Sequence, residues 1–166
     1  MLEEIEAFQL PILLSQEEIK CSDVLSRLRE KEELILEQGV FDDLQANLCL
    51  PLMMDVFASC FSNKLPRFCS KMPDERAVAI DAFTILWYNK RCYIFPPANL
   101  TWKVLEKVVR EGVCCLLVVK YKPNKDWFVR ISRMVSSSIM LPHLSVSDIF
   151  GLGVVSLYKA FLIHLK

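Results

Sequence analysis

The seven residues Val113-Cys114-Cys115-Leu116-Leu117-Val118-Val119 constrain this chain more than any other stretch. Every position is apolar, so neither face of the segment they form can be left in water. A strand buried on both faces needs a layer above and a layer below, which is what helices on a parallel sheet supply. The residues just ahead fit that arrangement. Leu100, Val104, Leu105, Val108 and Val109 recur at helical spacing, with Lys103, Glu106, Lys107 and Arg110 expected on the outer side. Gly112 then stands where a helix commonly ends in a left-handed residue. Residues 91–95 read as a strand that stops at Pro96-Pro97, because proline has no amide proton to give a ladder. Residues 91–119 therefore predict strand, turn, crossover helix and parallel strand. Ligands of open parallel sheets bind beyond the carboxyl ends of the strands. The turn Phe95-Pro96-Pro97-Ala98-Asn99 is thus the first place to look for chemistry.

The rest of the chain supplies more such elements. Val40, Phe41, Leu44 and Leu48 give a helical face after Gly39 interrupts the pattern, and Pro51 launches a buried strand over residues 52–57. That strand carries Asp55, which has two readings: a cap for the next turn, or a carboxylate at the mouth of a parallel sheet. Residues 59–74 read as loop with a short strand at 67–69, and residues 75–83 as a helix with Asp81 just past its apolar patch. Beyond the loop at residues 121–124, a helix is expected from 125 to about 136, then a strand at 139–141. Ser147-Asp148 is expected to cap a last helix running to 165. Trp87, Trp102 and Trp127 are expected in the core. Residues 12–14 fit strand and helix equally.

Composition excludes several classes. With 166 residues and 53% apolar content, the chain can bury one core of ordinary size. Twenty basic residues balance twenty acidic ones, so there is no general positive field of the kind a non-specific nucleic-acid binder carries. One local basic cluster, Lys120, Lys122, Lys125, Arg130 and Arg133, reads either as a solvated face or as a phosphate contact. Seven cysteines without a C-x-x-C pair, and only two histidines, give no zinc set. They read as reduced core thiols in an intracellular compartment, nucleus or cytoplasm. Met1-Leu-Glu-Glu-Ile-Glu is acidic where a secretion signal is basic. The tail over 149–165 carries Lys159 and His164 and is short for a span, so no membrane partner is expected.

The order of several short motifs resembles one family. These are Asp55-Val-Phe-Ala-Ser59, Asn63-Lys-Leu-Pro-Arg-Phe68, Ala79-Ile-Asp-Ala-Phe83, Trp87, Tyr93, Phe95-Pro-Pro97, Val104-Leu-Glu-Lys107 and Trp127-Phe128. Together they resemble the domain that follows ribonuclease H in the polyproteins of DIRS-like (tyrosine-recombinase) retroelements. That domain is itself similar to phage-type DNA N6-adenine methyltransferases. Cys21-Ser22-Asp23-Val24-Leu25-Ser26-Arg27 resembles the closing motif of retroelement ribonuclease H domains, where the aspartate is a metal ligand.

The resemblance implies a Rossmann-like α/β fold, a mostly parallel sheet with flanking helices. It divides the chain into a ribonuclease H remnant with a linker helix over 1–48, a methyltransferase-like domain over 49–142 and a divergent tail over 143–166. It also implies an S-adenosylmethionine crevice to which Asp55 and Asp81 contribute, and partners among nucleic acids and the other polyprotein domains.

Such enzymes place Asp, Asn or Ser ahead of Pro-Pro and an aromatic residue after it. The first accepts a hydrogen bond from the adenine amine, and the aromatic stacks on the flipped base. Here those positions hold Phe95 and Ala98. A lost stacking partner is worth about 1–3 kcal/mol, and a lost acceptor commonly lowers rate by roughly two to three orders of magnitude. The expectation is a degenerate, inactive domain with no cofactor. The alternative is a non-catalytic module that binds S-adenosylmethionine or nucleic acid. Ribonuclease H chemistry needs several carboxylates around two metal ions, and the short stretch ahead of Asp23 leaves no room for the sheet that carries them. Asp23 is expected as a remnant, consistent with excision from a longer chain.

Overall fold

Val113 to Val119 lies where its apolarity requires, inside a sheet. The computed structural model describes residues 34–48, 51–148 and 153–164. The strands are β1 (Leu34–Leu36), β2 (Met54–Ala58), β3 (Phe68–Ser70), β4 (Ala79–Ile80), β5 (Cys92–Ile94), β6 (Cys114–Lys120), β7 (Val135–Met140), β8 (Val146–Asp148) and β9 (Tyr158–His164). The helices are α1 (Gln38–Asn47), α2 (Thr101–Glu111) and α3 (Asp126–Met134). Asp23, the ribonuclease H-like segment around it and residues 12–14 lie outside the described residues.

Seven strands form one mixed sheet in the order β4-β3-β2-β5-β6-β9-β7, parallel except for β9. β1 and β8 pair separately as an antiparallel ribbon. The chain steps outward from β2 to β3 to β4 in one direction, and from β5 through β6 to β7 in the other. The reversal falls between neighbours β2 and β5, which makes that junction the topological switch point of the sheet.

Alternation along the strands separates two cores. Cys92, Ile94, Cys115, Leu117, Val119, Phe161 and Ile163 face α2 and α3, meeting Val104, Leu105, Val108, Phe128 and Ile131. Tyr93, Leu116, Val118 and Ala160 face the other way, onto Phe41 and Leu44 of α1 and Leu36 and Val146 of the ribbon. β6 is therefore covered on both faces. α2 ends as expected: Gly112 has φ of 62°, its amide donates to the Val109 carbonyl, and the Val113 amide reaches back to Val108.

Three expectations about local structure are corrected. Residues 75–83 do not form a helix; Ala79 and Ile80 pair with Cys69 and Ser70, and a 3-10 turn over Ala82–Thr84 follows. Asp81 adopts φ of 66°, which an α-helix forbids, and its carboxylate accepts the Phe83 amide. Gly39 does not interrupt α1 but lies within its first turn. The helix expected over 147–165 is replaced by β8 and β9. In β9, Tyr158, Ala160, Phe161 and Ile163 are all buried because β9 lies between β6 and β7 with both faces covered. A run apolar all round fits a buried strand and a buried helix alike. The 143–166 tail thus supplies an inner strand of the sheet. Among the described residues, no helix is long and apolar enough to cross a membrane.

Cys69, Cys92 and Cys115 are buried and Cys114 is half-buried, all as free thiols. Burial pushes Cys69 up to about 11 and Cys92 to about 12, and raises Cys115 well above the ordinary thiol value. The thiolate is the reactive form, so Cys114 is expected to alkylate before these three in native protein at pH 8. Mass spectrometry of iodoacetamide-treated protein reads this directly; prompt native labelling of Cys92 would show that the core is not closed over it.

Candidate functional site

The carboxyl ends of β4, β3, β2, β5 and β6 share one edge of the sheet because these strands are parallel. Registers Ser70↔Ile80 and Ala58↔Ser70 align the first three ends. Ile94 ends β5 beside them, and the Pro96-Pro97 turn follows. In open parallel sheets the edge at the switch point is where ligands bind.

The turn holds its shape through a short 3-10 segment, Ala98–Leu100, closed by the Leu100 amide on the Pro97 carbonyl. Pro96 is buried, while Pro97, Ala98 and Asn99 are exposed. Phe95 does not stand open in the crevice. Its ring meets Tyr158 edge-on, with centroids 5.7 Å apart, and packs against the core on the α1 side.

Asp55 is not at the sheet mouth. It lies inside β2, level with Tyr93 of β5, is 1% exposed, and accepts the Lys64 amide at 2.8 Å. The geometry realises the capping reading: a strand carboxylate fastens the loop that follows. Charge within that loop is shared, since burial lowers the Lys64 pKa and the carboxylates of Asp55 and Asp42 partly restore it. Tyr93 presents its hydroxyl on the same face, with no hydrogen-bond partner among the described residues. Burial, and then the Asp55 charge, raise its pKa well above that of an exposed phenol.

The loop after β2 closes on itself. Ser62 Oγ accepts the Ser59 amide at 2.9 Å, Ser59 Oγ accepts the Phe61 amide, and the Ser59 carbonyl accepts the amides of Ser62 and Asn63. With Lys64 bound to Asp55, five amides of this loop are spent internally. A glycine-rich loop leaves such amides open to an anionic ligand; Phe57-Ala58-Ser59 does not. Asp81 is exposed at the end of β4, with one carboxylate oxygen on Phe83. Asp55 and the Pro-Pro turn therefore belong to the neighbouring strands β2 and β5, and Asp81 follows the edge strand β4, but Asp55 and Phe95 face the packed interior. Of the two aspartates, Asp81 is the exposed one and Asp55 the buried one. Among the described residues, no group of three or more His, Cys, Asp or Glu side chains is placed to hold a metal ion.

A second polar cluster went unread in the sequence. Lys107, expected outward, is 4% exposed and ion-paired with Glu111 one turn on. Glu111 also accepts the Trp87 amide at 2.6 Å, and the Lys107 ammonium lies 5.1 Å from the Trp87 ring centre. Trp87, Phe57 and Phe83 form a three-ring cluster with centroids 5.7–6.3 Å apart, and Lys103 stands 4.1 Å over Phe83. The i, i+4 spacing of Lys107 and Glu111 was the available signal. Trp127 packs at the core margin, whereas Trp102 is 44% exposed, contrary to expectation. The basic cluster divides: Lys120, Lys122, Lys125 and Arg133 are exposed and Arg130 is half-buried.

No family model matches the chain, and a search of curated proteins finds no match either.

Proposed function

We propose that this chain is a fragment of a DIRS-like retroelement polyprotein whose methyltransferase-like domain has lost adenine methylation. The observation that carries the reading is the strand order. Counted along the seven-stranded sheet, it is 3-2-1-4-5-7-6, with only the seventh strand antiparallel. Without that strand it is the doubly wound, Rossmann-like order, the fold that the resemblance implies. The Pro-Pro turn then follows the fourth strand, at the switch point, where the family's chemistry belongs.

The same turn supports the loss. An amine acceptor would have to come from residue 95, and the Phe95 ring has none and is spent on Tyr158. A stacking ring would have to come from residue 98, and alanine has no ring. On the cofactor side, Asp55 is committed to Lys64 and the amides of the β2 loop to one another. The domain is thus a scaffold that keeps the architecture of the enzyme and has filled its crevice with packing.

Two measurements on the full chain test this. Calorimetric titration with S-adenosylmethionine is expected to give no binding heat, and labelled methyl groups are expected not to appear in adenine-containing DNA. Methyl transfer would overturn the inactive reading; binding without transfer would instead favour the non-catalytic module, with Asp81 the remaining exposed carboxylate on that edge.

A further inference from the structure

On the solvent side of α2 and α3 runs a groove of about 550 Å³, lined by Val109 of α2 and Asp126, Val129, Arg130, Arg133 and Met134 of α3. The α3 residues recur at helical spacing and form one continuous stripe. It is not the stripe that packs on the sheet, which is Phe128 and Ile131. Val109 and Val129 are each 41% exposed, and Trp102 extends the same apolar surface. The Arg130 guanidinium lies 5.3 Å from the Trp102 ring centre, a cation–π contact that holds its charge at the groove wall. Charge at the groove is uneven: its lining holds two arginines and one aspartate, in a chain whose net charge is zero.

We propose that this groove docks an acidic amphipathic helix of a partner protein. Apolar anchors at i, i+3 or i+4, and i+7 would lie on Val109, Val129 and Met134, and flanking carboxylates beside Arg130 and Arg133. A nucleic-acid strand fits less well. Half of the lining side chains are apolar, and Asp126 stands among the two arginines where phosphates would pass. The groove lies on the helical face rather than at the strand ends, so the inference does not depend on the methyltransferase-like reading.

The test uses the full chain and three fluorescein-labelled probes, followed by anisotropy. The first is a synthetic leucine–glutamate amphipathic helix about five turns long. The second is its lysine counterpart, and the third a single-stranded oligonucleotide. The glutamate helix is expected to bind at least about tenfold more tightly than either of the others, a difference of about 1.4 kcal/mol. Arg130→Glu with Arg133→Glu is expected to invert the order of the two peptides, while circular dichroism stays unchanged because both side chains lie off the packed stripe. Val129→Asp should weaken binding of the glutamate helix. Absent binding, equal binding of both peptides, preference for the oligonucleotide, or no inversion in the charge-reversed variant would each overturn the proposal.

Discussion

Trp87→Ala is expected to remove about 3–5 kcal/mol of folding free energy, the usual range for deleting a fully buried large aromatic ring. Trp87 is 0% exposed and touches three separate parts of the fold. Its indole Nε1–H donates to the Ala82 carbonyl at 2.9 Å, tying down the turn after β4. Its backbone amide donates to Glu111 at the end of α2, and its ring meets Phe57 at the end of β2. Removing it opens a cavity that Phe57 and Phe83 cannot fill without leaving their own contacts.

Domains of this size are stable by only about 5–15 kcal/mol, so the variant should be marginal. A fall in melting temperature of roughly 6–20 °C is expected. Trp87→Phe keeps most of the apolar burial and loses the indole donor, so it should fall well short of that loss. Urea unfolding curves of the two variants distinguish the cases. A loss below about 1 kcal/mol for Trp87→Ala would mean that the ring cluster is not part of the cooperative core.

The part of the fold legible in the sequence is the part where a single periodicity rules. Residues 91–119 have an unambiguous strand, a helix with one apolar face and a C-terminal glycine, and a strand with no polar side chain. All three are present, and in parallel register. The segment around β9 was not legible because a strand covered on both sides loses its alternation. Tyr158 to Ile163 carries no period that distinguishes it from a buried helix; only its pairing with β6 and β7 decides. Residues 75–83 went wrong for a different reason. Their helix-compatible residues are overridden by parallel pairing of Ala79 and Ile80 to β3 and by the left-handed turn at Asp81.

At the candidate site the sequence located the edge but not the direction of its side chains. Phe95 follows the end of β5 and Asp55 lies inside β2, and both turn toward packed groups, Tyr158 and Lys64. Nothing in a one-dimensional pattern separates a carboxylate that waits for a ligand from one that fastens its own loop. What separates them here is the set of loop amides around Ser59, all directed inward.

The Lys107–Glu111 pair gives the second large effect, and its sign depends on whether one or both charges are removed. The two side chains are only 5% and 9% exposed and in ion-pair contact. Taking away one partner leaves the other charge buried alone, a loss of about 3–5 kcal/mol. Glu111→Leu should fall in that range, because it strands the ammonium and also deprives the Trp87 amide of its acceptor. Lys107→Met with Glu111→Gln removes both charges and keeps an amide oxygen for Trp87. Buried ion pairs replaced on both sides are often close to neutral, so this double variant should recover most of the loss.

Acidity gives an independent reading of the same pair. Burial pushes the Glu111 carboxyl up, but hydrogen bonds from Lys107 and the Trp87 amide, with the Lys107 charge, outweigh it and leave the pKa below the ordinary 4.5. A carboxyl lowered in the folded state stabilises above its unfolded pKa, and that contribution fades as pH falls through the folded value. The pair should therefore add an acid-limb loss of stability below about pH 4.5. That increment should be absent from the double variant, in which residue 111 no longer titrates. Denaturant titrations at pH 7 and in the acid range measure both effects. The assignment fails if Glu111→Leu is tolerated at pH 7, or if the double variant is no more stable than the single one. The Lys107 ammonium, paired with Glu111, lies 5.1 Å from the Trp87 ring centre, so the losses from Trp87→Ala and Glu111→Leu should also fail to add when combined, and the size of that shortfall measures their coupling.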